Sequence, residues 1–322
     1  MTKQSDTALL IANYGSPRSA SVKDVRKYLR QLLNNRHVIK MNAVGRFFLV
    51  NCIIAPTRAK HSAAMYAQLQ DKRGMPLVYH TEDLVAKLQP LVKQYADVYF
   101  GTTCGTRLIK DVCNQIVDAG YKKLLVMPMF PQTHESTTEN IIDEVKDALN
   151  GKKDKISVSV VPSYYNSDSY IKCMQRLLLD SLSGFDYEKI VFSYHGVPKE
   201  EPENGKLTYE KQCYATTQLI CKAAAIDSDM AVTAFQSRMR DNWIQPFTDD
   251  VVRQLANNGV KNIAVLTPSF TVDCLETVVE ISQTLSKEFT NMGGKQFLAI
   301  PCLNAEDYWA EAVVQIAMQS LL

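Results

Sequence analysis

Short runs of consecutive apolar residues recur along the chain, each closed by proline, glycine or a polar group. Residues 8–13, 97–100, 123–127 and 156–161 form such runs in the first half, and residues 189–193, 231–235, 261–266 and 297–300 in the second. Runs this short, apolar throughout rather than alternating, predict strands buried on both faces, as in a parallel sheet. Between them, apolar positions at helical spacing predict helices over 22–33, 58–69, 81–94, 106–119, 137–149, 168–182, 209–224 and 304–321. Ser21 is placed to cap the first of them.

The pattern also repeats. Tyr14-Gly15-Ser16-Pro17 resembles His195-Gly196-Val197-Pro198, and Phe100 and Phe235 each close a second strand. Pro128 and Pro268 are 140 residues apart, and Pro162 and Pro301 are 139 apart. Two similar α/β domains follow, Rossmann-like, each with a four-stranded parallel sheet flanked by helices. The expected division puts residues 1–163 and 304–322 in the first domain, with an apolar insert at about 41–70, and residues 164–303 in the second. Matched strand ends would gather Tyr14, Phe130, His195 and Phe270 around one cleft.

One stretch of the second half, residues 261–281, concentrates acids. A strand ends at Pro268, a short loop follows, and Asp273, Glu276 and Glu280 come next. On a helix these three share one face at its first turns, at the carboxyl edge of the sheet, where open α/β sheets take ligands. His195 ends the neighbouring strand within a Gly-Pro turn. An imidazole facing a line of carboxylates suits proton abstraction or the handling of a divalent cation. His37, His61 and His80 lack such a setting. The insert and the helical stretch that continues it to about residue 94 carry Phe47, Phe48 and Met75 beside Arg46 and Arg58, a combination suited to a flat apolar ligand with peripheral carboxylates or to a membrane surface.

Composition narrows the classes. A net charge of +2 over 322 residues, without basic runs interleaved with aromatics, gives no reason to expect nucleic acid. The eight cysteines form no C-x-x-C pair and lie in apolar segments, so reduced thiols and a cytoplasmic protein are expected. No stretch reads as a signal peptide or a membrane span. There is no G-x-G-x-x-G and no Walker loop. Gly101-Thr102-Thr103-Cys104-Gly105 is a weak anion signal and reads better as a tight strand-to-helix turn.

Taken together, Asn13-Tyr14-Gly15-Ser16-Pro17, Ser193-Tyr194-His195-Gly196-Val197-Pro198, Phe235-Gln236-Ser237-Arg238 with Trp243, and Pro268-Ser269-Phe270 through Asp273-Cys274-Leu275-Glu276-Thr277 resemble the ferrochelatase family over essentially the whole chain. The resemblance implies insertion of ferrous iron into a porphyrin late in haem synthesis. It implies His195 and Glu276 as catalytic residues, with His195, Glu276 and Glu280 handling the metal. Tyr14, Arg58, Trp243, Phe270 and Asp273 would contact the substrate. Protoporphyrin IX is the expected porphyrin ahead of coproporphyrin III, although relatives acting on the latter carry tyrosine at the place of Tyr14. No tightly bound cofactor is expected. Only Cys302 lies beyond residue 274, so neither is the iron–sulfur cluster of some relatives. The insert resembles the active-site lip, implying peripheral contact with the inner membrane; a monomer or homodimer is expected. Cys104, Met75, Thr133 and His134 depart from the family's usual residues around the pocket. Two rival readings are a porphyrin- or haem-binding paralogue without catalysis and a chelatase for another tetrapyrrole.

Overall fold

The computed structural model describes residues 5–152, 154–199, 207–238 and 242–320. The chain divides into two compact units. One comprises Met1–Phe130, His134–Pro162 and Val313–Leu322; the other comprises Pro131–Thr133 and Ser163–Ala312.

The first unit is built on β1 (Thr7–Asn13), all seven of whose residues are buried. It pairs in parallel with β2 (Asp97–Thr102) on one side and β3 (Lys123–Pro128) on the other, and β4 (Ser157–Val160) completes the order β2-β1-β3-β4. A central strand covered on both faces can be apolar throughout, which is why β1 shows no alternation. Ala8, Leu10 and Ala12 pack against α5 (Ile109–Asp118) and α6 (Asn140–Ala148). The turn after β1 demands glycine: Gly15 has φ +132°, and a Cβ there would stand 2.1 Å from the Cys104 carbonyl oxygen.

Helix α1 (Val22–Leu33) starts where Ser21 accepts a hydrogen bond from the Asp24 amide. The insert is helical. Helix α2 (Ala43–Phe48) runs through a π-helical segment, Leu49–Ile54, into α3 (Ala55–Leu69), and α4 (Pro76–Val92) follows. The approach to α2 is anchored by Arg36 to Asp143 at 2.6 Å, by His37 Nε2 to Asp143 at 3.0 Å and by a Lys40–Glu135 ion pair.

The second unit repeats the plan. Strand β5 (Lys189–His195) lies between β6 (Ala231–Gln236) and β7 (Asn262–Leu266), with β8 (Gln296–Ala299) outside, again all parallel and in the order β6-β5-β7-β8. On one face, Val191 packs with α9 (Thr248–Asn257) and with a π-helix, Leu275–Leu285, that continues as α10 (Ser286–Asn291). The other face meets α8 (Tyr209–Ala224), where the buried Tyr194 hydroxyl bonds Thr217 at 2.9 Å, and α8 packs in turn on α7 (Asp168–Leu182). Helix α11 (Asp307–Met318) closes the chain.

Each unit therefore has the four-stranded parallel sheet that the repeat implies. The second strands of the two sheets do not end alike, contrary to the match of Phe100 with Phe235. Phe100 pairs with Ile11, whereas Phe235 pairs with Tyr194, nearer the strand end, so the two phenylalanines are not equivalent.

Candidate active site

Strand parity sets the direction of His195. Successive side chains of β5 alternate between faces, so His195 and Ser193 share the face of Val191, the face covered by the π-helix and α9. Its backbone is pinned on both sides: its N–H donates to Ser269 Oγ at 3.1 Å, and the Tyr209 hydroxyl donates to its carbonyl at 3.0 Å. The ring lies between two aromatics, with centroids 6.5 Å from Trp243 and 6.0 Å from Phe270. Trp243 is brought there by an antiparallel bridge to Pro198, supported by the Ile244 amide on the Val197 carbonyl at 3.0 Å. Gly196 allows the close approach, since a Cβ would meet the Gln236 carbonyl at 2.6 Å and the Trp243 ring at 3.2 Å.

The acids arrive on the π-helix. Its i→i+5 bonding is visible at its end, where the Ser286 amide reaches the Ile281 carbonyl. In this wider helix Glu276 and Glu280 stand close to one turn apart, near enough to repel electrostatically. Asp273 is not on that helical face. It precedes the cap residue Cys274, and its carboxylate accepts from Thr277 Oγ1 at 2.8 Å, Asn304 Nδ2 at 2.7 Å and the Cys302 amide at 3.3 Å. Those bonds use Asp273 as a brace between the helix start and residues 302–304.

Burial governs the electrostatics. It depresses the His195 pKa below the usual imidazole value, opposed by the Glu280 carboxylate and a backbone hydrogen bond at Gly196. It raises the Glu280 pKa, helped by Glu276 and opposed by the Ser237 hydrogen bond and by His195. The pair thus leans toward an uncharged imidazole and a protonated carboxyl, and the two titrate together. Among the described residues no group of three or more His, Cys, Asp or Glu is gathered to hold a metal ion.

Three residues tie this site together beyond those singled out from the sequence. Ser237 donates to Glu280 Oε2 at 2.5 Å, Gln236 Nε2 donates to the Glu276 carbonyl at 3.1 Å, and Ser193 Oγ donates to Gln236 Oε1 at 2.8 Å. Gln236 and Ser237 sit inside the Phe235-Gln236-Ser237-Arg238 motif; two polar residues ending a buried strand were the available signal.

The remaining expected substrate residues, Tyr14 and Arg58, belong to the first unit. Tyr14 donates to the Ser136 carbonyl, and its ring meets Phe130 edge-on at 5.5 Å. Arg58 is exposed on α3. His134 caps a π-helical segment, Glu135–Glu139, with its Nδ1 accepting from the Ser136 amide, so it is a helix-start residue. The 101–105 loop spends its amides internally: Thr103 on the Asn13 carbonyl, Cys104 on the Tyr14 carbonyl and Gly105 on Gln31. That is a tight turn and not an anion cradle.

The two units carry related sites with different chemistry. Both have a π-helical start after the third strand, capped by His134 in one and Cys274 in the other. Tyr14 beside Phe130 corresponds to His195 beside Phe270. Along the helices, Ser136 and Asn140 stand where the second unit has Glu276 and Glu280. The chain has thus kept imidazole and carboxylates in one copy and uncharged groups in the other.

Twin α/β units with this strand order place the chain in the chelatase fold class. A sirohydrochlorin chelatase, SirB from Bacillus subtilis subspecies spizizenii, solved in complex with cobalt, aligns with a TM-score of 0.57 at 9% identity, over 98% of this chain and 94% of its own. At that identity the likeness concerns fold alone. The ferrochelatase family profile matches residues 6–321. A ferrochelatase of Legionella pneumophila (strain Corby) is 31% identical over 331 residues, covering 97% of this chain and 99% of its own length. One of Coxiella burnetii (strain Dugway 5J108-111) is 32% identical over 334 residues, covering 97% and 93%. The chain belongs to the ferrochelatase family.

Proposed function

We propose that the chain inserts ferrous iron into a porphyrin to form haem, with His195, Glu276 and Glu280 as its working groups. Family membership supports the reaction, a metal insertion of the lyase class. The observation that carries the residue assignment is the placement of the His195 ring, beside Trp243 and Phe270, on the face of β5 covered by the π-helix that bears Glu276 and Glu280.

Insertion replaces two pyrrole N–H protons by one divalent cation, so the site must accept two protons and deliver one ion. An imidazole kept neutral by burial can take a proton at pH 7. Glu276 and Glu280, a turn apart, offer oxygen ligands and a second acceptor along one line. Trp243 and Phe270 flank the imidazole with flat apolar surface suited to a macrocycle. Tyr14 and Arg58 are proposed as further porphyrin contacts, with Arg58 toward the propionates, and Asp273 as a supporting acid.

Protoporphyrin IX is the proposed porphyrin, and no tightly bound cofactor is needed. No helix among the described residues is long and apolar enough to cross a membrane. The insert exposes Val44 at 66%, Phe47 at 57%, Phe48 at 59% and Ile53 at 57%, beside Arg46. Apolar side chains with a basic neighbour suit the boundary of an anionic bilayer, so a cytoplasmic protein docked on the inner membrane through this lip is proposed. A monomer or a homodimer is compatible with this reading.

The test is direct. Purified protein is mixed anaerobically with ferrous iron and either protoporphyrin IX or coproporphyrin III. The reading expects catalytic conversion of protoporphyrin IX to haem. Stoichiometric porphyrin binding without turnover would replace it with a carrier, and preferential use of coproporphyrin III would overturn the substrate assignment.

A further inference from the structure

In the first unit the π-helical segment is held by the strand end beside it: Tyr14, the last residue before the Gly15 turn, donates its hydroxyl to the Ser136 carbonyl. The second unit has His195 at the place of Tyr14 and Glu276 at the place of Ser136, and the Glu276 carbonyl takes its side-chain donor from elsewhere. Gln236 Nε2, from the neighbouring strand β6, donates to it at 3.1 Å. The same carbonyl is braced in both units by different residues. Because Gln236 does this in the second, the imidazole is not the group holding the helix.

The brace is itself built in. Gln236 is only 5% exposed, and Ser193 Oγ donates to its Oε1 at 2.8 Å, which fixes the amide so that Nε2 faces the helix. Ser193 also bonds Thr248 Oγ1 at the start of α9 at 2.8 Å, and the Gly196 amide donates to the Gln236 carbonyl at 2.8 Å. Thr248, Ser193 and Gln236 thus form a buried polar chain running under the end of β5 and ending on the backbone of Glu276. The next residue, Ser237, bonds the Glu280 carboxylate at 2.5 Å. Two consecutive residues of β6 and its exit therefore grip the helix at two heights, one at the Glu276 backbone and one at the Glu280 side chain.

We propose that Gln236 is a positioning residue for metal handling: it sets the height of the π-helix against β5, and so the distance between the Glu276 and Glu280 carboxylates and His195. This rests on the reading of His195, Glu276 and Glu280 as the working groups. Gln236 itself touches neither substrate in this account. Its loss should be felt where the geometry of the acids matters, in ferrous-ion use and in the pH profile, and not in porphyrin binding, to which Trp243 and Phe270 contribute.

The experiment compares Gln236→Leu, which removes the donor and leaves comparable bulk, with Ser193→Ala, which keeps the amide and frees its orientation. Steady-state kinetics with ferrous iron and porphyrin, porphyrin binding by fluorescence quenching, thermal unfolding and a kcat/KM–pH profile are measured for each. Expected is a fall of about 10–100-fold in kcat/KM for ferrous iron in Gln236→Leu, in the range seen when groups that orient metal ligands are removed. A smaller fall in the same direction is expected in Ser193→Ala. In both variants the acid limb shifts while the porphyrin Kd stays within about twofold, well below that 10–100-fold effect. A merely structural Gln236 would lower the unfolding temperature and the active fraction but leave the KM for iron and the position of the acid limb unchanged, and that outcome overturns the proposal. If Gln236→Leu shows wild-type iron kinetics while His195→Ala is inactive, the positioning role fails and the site reading stands. A fully active His195→Ala removes the site reading itself.

Discussion

Ser237 holds the Glu280 carboxylate at 2.5 Å from a backbone position in the left-handed region, with φ +59°. A non-glycine residue there costs roughly 1–3 kcal/mol, and such strain collects at functional sites. The neighbouring Arg238 is tied to Asp250 at 3.1 Å and to Asp249 at 3.3 Å, and its guanidinium lies 4.7 Å from the Phe247 ring centroid, so the chain just beyond the strained residue is held.

Removing the Ser237 hydroxyl should move the enzyme's acid limb. The Ser237 hydrogen bond lowers the Glu280 pKa against the upward push of burial and Glu276. In Ser237→Ala that restraint is gone, the carboxyl protonates at higher pH, and the acid limb of kcat/KM shifts upward. The pH–rate profile checks this, and an unmoved limb would mean that Glu280 does not govern it.

Glu280→Gln should trade activity for stability. A carboxyl whose folded-state pKa is raised binds its proton more tightly in the native state. Its favourable contribution is complete below the ordinary carboxylate pKa of about 4.3 and is lost as pH rises through the raised value. Above the raised pKa the wild type carries an ionised, largely buried Glu280 that the variant lacks. The variant should gain on the order of 0.5–2 kcal/mol there, with the gain shrinking toward pH 5, while iron insertion falls. Thermal unfolding at several pH values measures it.

Tyr14→Phe should weaken the first unit. It leaves the Ser136 carbonyl without this donor, at a cost of about 0.5–1.5 kcal/mol, and it should also raise the porphyrin KM. Denaturant unfolding and steady-state kinetics check the two effects separately.

Phe47→Ser and Phe48→Ser should weaken attachment to anionic lipid vesicles. Each removes an apolar ring worth about 1.5–3 kcal/mol when buried, so sedimentation with vesicles should fall roughly tenfold or more per substitution. Soluble turnover in detergent provides the control for folding.

Much of the fold was legible in the sequence because parallel strands buried on both faces read as uninterrupted apolar runs. The bounds of α1, α7 and α8 follow directly from their spacing. The proline and glycine punctuation that repeats between the halves foretold two sheets of like order. Helix α9 is absent from the elements the sequence predicts, although Val251, Val252, Leu255 and Ala256 stand at helical spacing behind Asp249 and Asp250 in its first turn. The spacing of the acids predicts an ordinary helix with Asp273 on its acidic face, where the structure has a π-helix that begins after Asp273. Apolar spacing does not distinguish i→i+4 from i→i+5 bonding, and the start is set by Cys274 and Thr277, which bond each other at the cap. His195, Glu276 and Glu280 stood out by type and by place at strand and helix ends. Gln236 and Ser237 did not, because their roles depend on which side of a strand end they face and on one left-handed residue.

The central claim is that the imidazole at the end of β5 takes part in metal insertion. His195→Ala, confirmed as folded by circular dichroism and by wild-type porphyrin binding, is assayed anaerobically with ferrous iron and protoporphyrin IX. The account predicts that haem formation is abolished; turnover at the wild-type rate would contradict it.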